Sequence, residues 1–399
     1  MLDPAPRLGD RSLFPTLRAR AYLNHAAISP ASTRVQAAVS ELVADYAARG
    51  VEALFPQLEQ RERLRGQLAE LVGAHREEIG YVANTTAGVR AVALCVPWSA
   101  GDTVVLLRGE FPANVTPWQR AAELFDLRLR WLEVSDFHGS AGDGLARLEA
   151  VLREGVRLVA VSAVQFQTGL RMPLEEIGAL CRAHGAELFV DGIQGCGATP
   201  IDVATAHIDY LSCGSHKWLM GLEGLAFLYV RAERAAVLRP VVAGWLSHEE
   251  GLRFLFEGAG HLRYDRPIRA RADLVEGGAM PGTVLLALDA SLGLLHQLTV
   301  PAIFEHLQAY HDRLEPGLRQ RGFASERSPV RAQRSGILSV LPPKDVELAP
   351  LHAALGRRGI SCSMPDGRLR FAPHWPNALT ETDEVLTAID EALAELRGG

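Results

Sequence analysis

The sequence contains few cysteines, and their arrangement excludes several kinds of site. Five cysteines occur among 399 residues, and no two of them form a Cys-x-x-Cys pair. Most of them lie within apolar runs: Cys95, Cys181, Cys196, Cys213 and Cys362. This pattern favours buried, reduced thiols in a cytoplasmic protein over disulfide bonds or bound zinc, and we expect no metal site.

The sequence also lacks long apolar runs and clusters of basic residues. No stretch approaches the roughly 18 consecutive apolar residues of a membrane span, and segment 1–15 has no apolar centre of the kind found in secretory signals. Arginine greatly outnumbers lysine, but the basic residues are scattered, and the formal net charge is -6. We therefore expect neither a membrane nor nucleic acid as a partner.

Two apolar runs in the middle of the chain lead to one acidic and one basic residue. The run 187–190 reads as a buried strand that ends at Asp191, and the run 208–212 is followed by a Gly-Ser-His turn and Lys217. Such strand ends meet where open α/β sheets bind ligands, so a carboxylate and an amine are expected in one cleft. Alone, an aspartate at a strand end is more often a helix cap or turn former, and a lysine is more often a solvated surface charge. Together they are the pair that pyridoxal phosphate (PLP) requires, since the amine binds the cofactor and the carboxylate keeps its pyridine nitrogen protonated.

The residues around this pair resemble the class V aminotransferase superfamily of fold-type I PLP enzymes, which includes cysteine desulfurases, isopenicillin N epimerase-like proteins and kynureninases. The motifs that carry the resemblance are VDGIQG at 190–195, HIDY at 207–210 and SHKWL at 215–219. Their order and spacing match the family, and a hydrophobic content of 48% is ample for two buried cores. The resemblance implies pyridoxal 5'-phosphate as the cofactor and a homodimer as the assembly.

The resemblance also implies an α/β fold, the PLP-dependent transferase fold type I. In this fold a mostly parallel, seven-stranded sheet is flanked by helices, and a smaller C-terminal α+β domain follows. We expect an N-terminal arm at 1–30 that joins the small domain and the active-site mouth, a large PLP-binding domain at 31–284 and a small domain at 285–399. Two long helices are predicted near the boundary, at 285–298 and 301–321, the second interrupted at Pro316.

The segment IGYVANTTAGVR at 79–90 has the form of a phosphate site. A short strand runs into two threonines and a small-residue turn that opens a helix, so that free N–H groups and the positive end of the helix converge. An ordinary threonine-capped helix is the alternative. The resemblance assigns the PLP phosphate mainly to Thr86 and the N–H group of Ala87, with Thr85, Ser215 and His216 as further contacts.

The resemblance assigns other residues to the cofactor ring. Phe111 occupies the position of the flat side chain that stacks on the pyridine ring, in a loop marked by neighbouring prolines. Gln194 is expected to bond to the phenolic oxygen, and Gln165 to lie close to it, with Gln167 as the alternative to Gln165. Asp191 is expected to pair with the pyridine nitrogen.

Arg370 is the candidate for binding a substrate carboxylate. Alternation along the strand at 367–375 sends Arg368 and Arg370 to the same face, and a planar guanidinium can donate two parallel hydrogen bonds to a carboxylate. Arg370 matches the carboxylate-binding arginine of the family, whereas Arg368 is expected to be a solvated charge. His25 lies in a segment that resembles the family's active-site mouth and is a candidate substrate contact, with a packed turn residue as its alternative.

These assignments predict an enzyme that acts on an amino acid through a Schiff base on Lys217. Lys217 then moves the Cα proton, and Asp191 stabilises the charge that forms. Transamination, elimination, epimerisation and C–C cleavage share these steps and stay open, although Phe111 and the QFQTG turn at 165–169 favour epimerase- or lyase-like members. A desulfurase or cysteine lyase using Cys362 is one alternative. A catalytically inactive binding protein of the same fold is the alternative from another class.

The turn that reaches the neighbouring subunit's phosphate in this family is altered here. Family members commonly carry Gly-Thr-x-Asn, but this chain has EGGAMPGT at 276–283. The sequence leaves open whether Gly278 and Ala279 or Thr283 supplies a cross-subunit contact.

Overall fold

The structure is a computed structural model that describes residues 4–139 and 142–398 of the chain. Its largest feature is a seven-stranded sheet, which two smaller sheets accompany. The strands are β1 Ala21–Tyr22, β2 Ile79–Val82, β3 Thr103–Arg108, β4 Arg128–Glu133, β5 Leu158–Ser162, β6 Glu187–Asp191, β7 Tyr210–Gly214, β8 Ala226–Val230, β9 Ala324–Ser325, β10 Leu338–Leu341, β11 Ile360–Ser361 and β12 Leu369–Phe371. The helices are α1 Thr33–Arg49, α2 Leu54–Val72, α3 Thr85–Cys95, α4 Thr116–Phe125, α5 Gly142–Leu152, α6 Leu174–Ala183, α7 Ala232–Ala235, α8 Arg253–Phe256, α9 Gly282–Leu298, α10 Val300–Gln320, α11 Leu348–Arg357 and α12 Glu381–Gly398.

The seven-stranded sheet has the order β2-β8-β7-β6-β5-β3-β4. Strand β8 runs antiparallel to both of its neighbours, and the other neighbouring pairs are parallel. Every residue of β5, β6, β7 and β8 is buried, as expected for strands that are covered on both faces. The predicted α/β fold with a mostly parallel sheet is therefore confirmed.

The carboxyl ends of the parallel strands carry the predicted site residues. Asp191 is the last residue of β6, in register with Ser162 of β5 and Ser212 of β7. Lys217 follows β7 after a short turn. Because these strands run in the same direction, their ends bring the carboxylate and the amine to one edge of the sheet.

A three-stranded antiparallel sheet, in the order β12-β10-β9, forms a second centre near the C-terminus. It contributes to a separate apolar core that includes Leu338, Phe371 and Ile389. Strand β1 pairs in parallel with β11, and Asn24 bridges Ala372, so the N-terminal segment is attached to this part of the protein. The predicted limits of the arm and the two domains stay predictions.

Helices α9 and α10 follow one another, and α9 packs against α1 and α2. The predicted interruption at Pro316 is wrong, since α10 continues through the proline. Leu314, Gly317 and Leu318 are buried around it, and this packing outweighs the one backbone hydrogen bond that proline removes. Among the described residues no single helix is long and apolar enough to cross a membrane; α9 and α10 meet that test only as a pair, and they are bent by 76°.

Candidate active site

At the carboxyl edge of the sheet, the charges of Lys217 and Asp191 each affect the pKa of the other residue. Asp191 is 2% exposed, and its Oδ1 accepts a hydrogen bond from the N–H group of Ile193 at 3.0 Å. Burial raises the pKa of Asp191 to about 6, against the opposing effects of that hydrogen bond and of the lysine charge. Burial lowers the pKa of Lys217 to about 8, although the charge of Asp191 acts in the opposite direction. The amine and the carboxylate are therefore near enough for their charges to interact.

Phe111 lies beside this lysine. Its ring centroid is 5.6 Å from Nζ of Lys217, and the residue is 45% exposed. The ring of Phe166 meets it edge-on, with 5.2 Å between the centroids and an angle of 83°. A partly exposed ring over the amine has the placement that a stacking side chain needs, and the stacking role of Phe111 stays a prediction.

Arg370 is buried without a negatively charged partner among residues 4–139 and 142–398. It is 5% exposed; its Nε donates to Oγ of Ser363 at 3.0 Å, and its Nη1 donates to the carbonyl oxygen of Phe166 at 2.7 Å. Burial lowers its pKa to about 10, and its charge in turn lowers the pKa of Lys217. An unpaired cation is costly to bury, so this residue is suited to an anionic ligand.

The predicted phosphate seat lies at the N-terminus of α3, and its phosphate-binding role stays a prediction. Asn84 caps the helix, because its Oδ1 accepts the N–H group of Ala87 at 2.8 Å. Oγ1 of the buried Thr85 accepts the N–H group of Gly214 at 3.0 Å. Thr86 is exposed, and the N–H groups of the two threonines have no partner within the helix. Thr86 is therefore accessible to a phosphate, as predicted, whereas the cap already engages the N–H group of Ala87.

Ser215 and His216 differ in what they offer a phosphate. Ser215 is fully buried, and its hydroxyl bonds to the carbonyl oxygens of Leu222 and Leu225, so it stabilises the turn after β7. His216 is half-buried, and burial together with the charge of Lys217 lowers the pKa of its ring. A neutral imidazole still carries one N–H donor, which makes His216 the better suited of the two.

The side chain of Gln165 is hydrogen-bonded to the backbone of its own turn and of the loop at Gly109. Its Nε2 donates to the carbonyl oxygen of Gly109 at 2.6 Å and contacts Oε1 of Gln167 at 3.4 Å. Its Oε1 accepts the N–H groups of Gln167 and Thr168 at 2.7 and 2.8 Å. Both amide hydrogens are engaged, so the side chain in this arrangement has no free donor for a cofactor oxygen.

The turn that carries Lys217 is linked to distant parts of the chain. Oγ of Ser29 donates to the carbonyl oxygen of Lys217 at 2.6 Å. Nε2 of His374 is hydrogen-bonded to the carbonyl oxygen of Trp218 at 2.9 Å. The indole N–H group of Trp218 donates to Oε1 of Gln194 at 2.8 Å. Gln194 gives one amide hydrogen to a backbone carbonyl and keeps the second, which fits its predicted contact with the phenolic oxygen. Sequence reasoning assigned no role to Ser29 or His374.

His25 lies next to these residues and is 1% exposed. Its Nδ1 is 2.7 Å from Oγ of Ser29, and its ring meets that of His374 edge-on at 5.2 Å. Burial, with a contribution from His374, lowers the pKa of His25 well below its usual value, so the ring is neutral. These are the contacts of a packed turn residue, and a direct contact with substrate stays a prediction.

Glu110 is a further residue of the site that sequence reasoning missed. Its carboxyl group accepts hydrogen bonds from the N–H and O–H groups of Ser162, whose strand pairs with that of Asp191. Burial raises the pKa of Glu110 to about 7 against those hydrogen bonds, and the charge of Asp191 adds to the rise. A single acidic residue after a strand is common on protein surfaces, so the sequence carried no signal for this role.

Cys362 is 6% exposed, and burial raises the pKa of its thiol to about 12. The thiol is therefore protonated at neutral pH, which makes it a weak nucleophile.

The described residues fit PLP, since they combine an enclosed lysine, a buried carboxylate, an adjacent aromatic ring and a helix N-terminus. A family model described as "Aminotransferase class-V" matches residues 21–368. The uncharacterized aminotransferase YcbU of Bacillus subtilis is 27% identical over 391 residues, covering 96% of this chain and 97% of YcbU. The isopenicillin N epimerase of Amycolatopsis lactamdurans is 29% identical over 346 residues, 83% of each chain. Several other relatives are described as cysteine desulfurases.

The fold is also that of known PLP enzymes. The cystine C-S lyase C-DES, solved in complex with its reaction product cysteine persulfide, matches with a TM-score of 0.85 and 23% identity over 94% of this chain and 98% of C-DES. Another structure of C-DES contains glycine covalently linked to its PLP cofactor. The family model covers most of the chain, and the structural match confirms the predicted fold type. The chain belongs to the class-V aminotransferase family of PLP-dependent enzymes.

Proposed function

We propose that this protein is a PLP-dependent lyase that acts on an α-amino acid and releases a substituent from its Cβ atom. The observation that carries the proposal is the buried Arg370, which has no carboxylate partner among the described residues and whose charge lowers the pKa of Lys217. An α-amino acid presents a carboxylate and an amine one carbon apart. A cation and a cofactor-binding lysine in one enclosed space suit this class of substrate.

Each residue has a distinct part in this chemistry. When bound, PLP would supply a carbon that reacts with amines and a ring that accepts electrons. Nζ of Lys217 holds the cofactor and later takes the Cα proton, for which its lowered pKa is suited. Asp191 keeps the ring nitrogen protonated, and losing its charge is expected to cost several kcal/mol of transition-state stabilisation. Thr86 and His216 hold the phosphate, and Phe111 covers the ring and excludes water.

Two observations favour elimination over desulfuration and epimerisation. The protonated, buried thiol of Cys362 is poorly suited to take sulfur from a substrate, which the desulfurase alternative requires. The side chain over the lysine amine is the ring of Phe111, with Phe166 beside it, and neither ring carries the transferable proton that epimerisation needs on the opposite face of Cα. Elimination needs only the lysine and a leaving group on Cβ.

The attachment of the cofactor is tested by borohydride reduction, for which the sequence is favourable because Lys217 and Lys344 are its two lysines. We expect a yellow protein that borohydride bleaches, with the adduct on Lys217 and none on Lys344 by peptide mapping. Lys217→Ala should lose the label and Lys344→Ala should keep it. A protein that stays colourless with added PLP would overturn the proposal and favour the inactive binding protein.

The outcome of the reaction is tested with the holoenzyme and β-substituted alanines, including cysteine and cystine. Elimination with water converts each into pyruvate, ammonia and the protonated leaving group, and we expect pyruvate and ammonia in equal amounts. Racemisation without pyruvate would show epimerisation, and a product that needs a second keto acid would show transamination. Either result would replace elimination and leave the cofactor assignment intact.

We also propose a homodimer. The turn at 276–283 is anchored by Glu276, whose carboxylate bonds to Arg61, Arg65 and the N–H group of Tyr81. This anchoring fixes the start of the turn that carries Gly278, Ala279 and Thr283, which are the candidates for the cross-subunit contact. Exposed apolar side chains on the preceding segment also support a subunit contact: Trp245, Leu255, Phe256, Leu262 and Tyr264.

Light scattering after size-exclusion chromatography tests the assembly, and a monomer at micromolar concentration would contradict it.

We further propose a cytoplasmic location, which is supported by the free thiols of all five cysteines.

A further inference from the structure

Three consecutive carbonyl oxygens around the lysine are held by groups far away in the chain. The carbonyl oxygen of His216 accepts a hydrogen bond from the N–H group of Ser29 at 2.8 Å. The carbonyl oxygen of Lys217 accepts one from the hydroxyl group of Ser29 at 2.6 Å. The carbonyl oxygen of Trp218 is hydrogen-bonded to Nε2 of His374 at 2.9 Å. Ser29 and His374 are both buried. The backbone at the lysine is therefore fixed by the N-terminal segment and by the segment after β12.

The hydrogen positions in this arrangement follow from its partners. Ser29 gives its hydroxyl hydrogen to the lysine carbonyl, so Nδ1 of His25, 2.7 Å away, donates to Ser29. Nδ1 of His374 accepts the N–H group of Trp375 at 2.7 Å, which places the ring hydrogen on Nε2. Burial lowers the pKa of His374 to about 4, so this ring is neutral and has a single N–H group to donate.

His374 lies on the same segment as the carboxylate-binding candidate. Arg370 belongs to β12, and His374 follows shortly after it. Between them Ala372 accepts the N–H group of His25 at 3.1 Å and donates to the carbonyl oxygen of Leu23 at 2.8 Å. One extended segment thus carries the guanidinium and a direct hydrogen bond to the lysine turn.

We propose that Ser29 and His374 are positioning residues, oriented by His25, that set the separation between the amine of Lys217 and the guanidinium of Arg370. The purpose of that separation, to receive the two ends of an α-amino acid, rests on the proposed function. The hydrogen bonds themselves are made by the protein without a ligand. Loss of either side-chain bond leaves a buried carbonyl oxygen with one partner fewer and lets water reach the lysine turn.

The test measures the reactivity of Lys217 in the apoprotein. An amine-reactive acylating reagent is applied across a pH series, and the labelling of Lys217 is read by peptide mass spectrometry against Lys344 in the same molecule. We expect a midpoint near 8 for the parent. Ser29→Ala and His374→Ala should move it upward by roughly 0.5–1 pH unit, because hydration restores the ammonium form. In the holoenzyme kcat/KM should fall by about tenfold or more, since small displacements of reacting groups are costly.

Conservative variants separate the hydrogen bonds from general packing. Ser29→Thr keeps the hydroxyl and His374→Gln keeps an N–H donor near Nε2, so both should recover much of the parent's midpoint and kcat/KM. If His374→Ala does not fold, the comparison of Ser29→Ala with Ser29→Thr still tests whether the hydrogen bond to the lysine carbonyl sets the labelling midpoint.

Folded alanine variants with the parent's labelling midpoint would overturn the proposal, whatever their activity, since a merely structural loss leaves the lysine unchanged. The proposal would also be overturned if each conservative variant had the same labelling midpoint and kcat/KM as its alanine counterpart. Because labelling uses the apoprotein, these outcomes are distinct from failure of the proposed function, which appears as a missing PLP adduct on Lys217.

Discussion

The guanidinium of Arg370 donates a 2.7 Å hydrogen bond to the carbonyl oxygen of Phe166. This bond crosses from β12 to the turn after β5, and the ring of Phe166 contacts Phe111 beside Lys217. Two direct contacts therefore join the group proposed to bind the carboxylate to the ring proposed to cover the cofactor. Nη2 of Arg370 remains for a substrate, because the described chain places no carboxylate against it.

Replacing Arg370 by alanine or lysine is expected to lower kcat/KM by a factor of about 10²–10³, mainly through KM. Alanine removes the charge, and lysine keeps it but lacks the planar guanidinium whose Nη2 is free for the carboxylate. Steady-state kinetics on an accepted amino acid measures the change. Arg368→Ala is the matched control, because Arg368 pairs with Glu326 at 2.6 Å and should stay within about twofold of the parent. Equal losses at the two positions would contradict the assignment.

Lys217 is expected to make the apoprotein more stable as the solution becomes alkaline. Its pKa is about 8 in the folded chain and 10.5 for an ordinary lysine, so between these values the unfolded chain binds a proton that the folded chain has released. The free energy of unfolding should rise over that window by up to about 3 kcal/mol relative to Lys217→Met, as urea denaturation can show. Exposed Lys344 provides the control, and Lys344→Met should keep the parent's profile.

Glu110 is expected to have the opposite pH dependence. Its folded pKa is about 7 against an ordinary value of 4.5, so its contribution to stability is present in acid and is lost as the pH rises from about 4.5 through about 7. Glu110→Gln should remove this decline, which we expect to be up to about 3 kcal/mol in denaturation of the apoprotein. Glu187→Gln is a useful contrast, because Glu187 pairs with Arg157 and Arg234, and its loss should destabilise the protein. A Glu110 variant that is equally destabilised at every pH would rule out the neutral carboxyl group.

Cys362→Ala is expected to keep most of the activity, within about threefold of the parent, because a buried thiol with a pKa of about 12 is a poor nucleophile. Pyruvate, alanine and sulfide formed from cysteine measure the effect, because transfer of the sulfur to a thiol leaves alanine rather than pyruvate. The far larger loss expected for Lys217→Ala calibrates the assay. A loss of about a hundredfold or more in a folded Cys362→Ala protein would restore the desulfurase alternative.

The positions of Asp191 and Lys217 along the fold could be predicted from the sequence. The apolar runs before them are long enough to cross a buried sheet, so their ends mark its edge, and parallel strands bring those ends together. The motifs around the pair indicated the family, and the family model and the fold both agree with it. Local pattern therefore determined the sheet, its mostly parallel direction and the edge at which the chemistry is placed.

The tertiary structure decided which of the predicted side chains are free to act. Ser215 and Gln165 are engaged by carbonyl groups of neighbouring loops, whereas Arg370 is buried with no carboxylate against it in the part of the chain that the structure describes. Ser29 and His374 acquire their positions only when both ends of the chain pack against the lysine turn. The physical reason is that strand formation depends on neighbouring residues, whereas burial and hydrogen-bond partners depend on residues that are far apart in sequence and meet only in the folded chain.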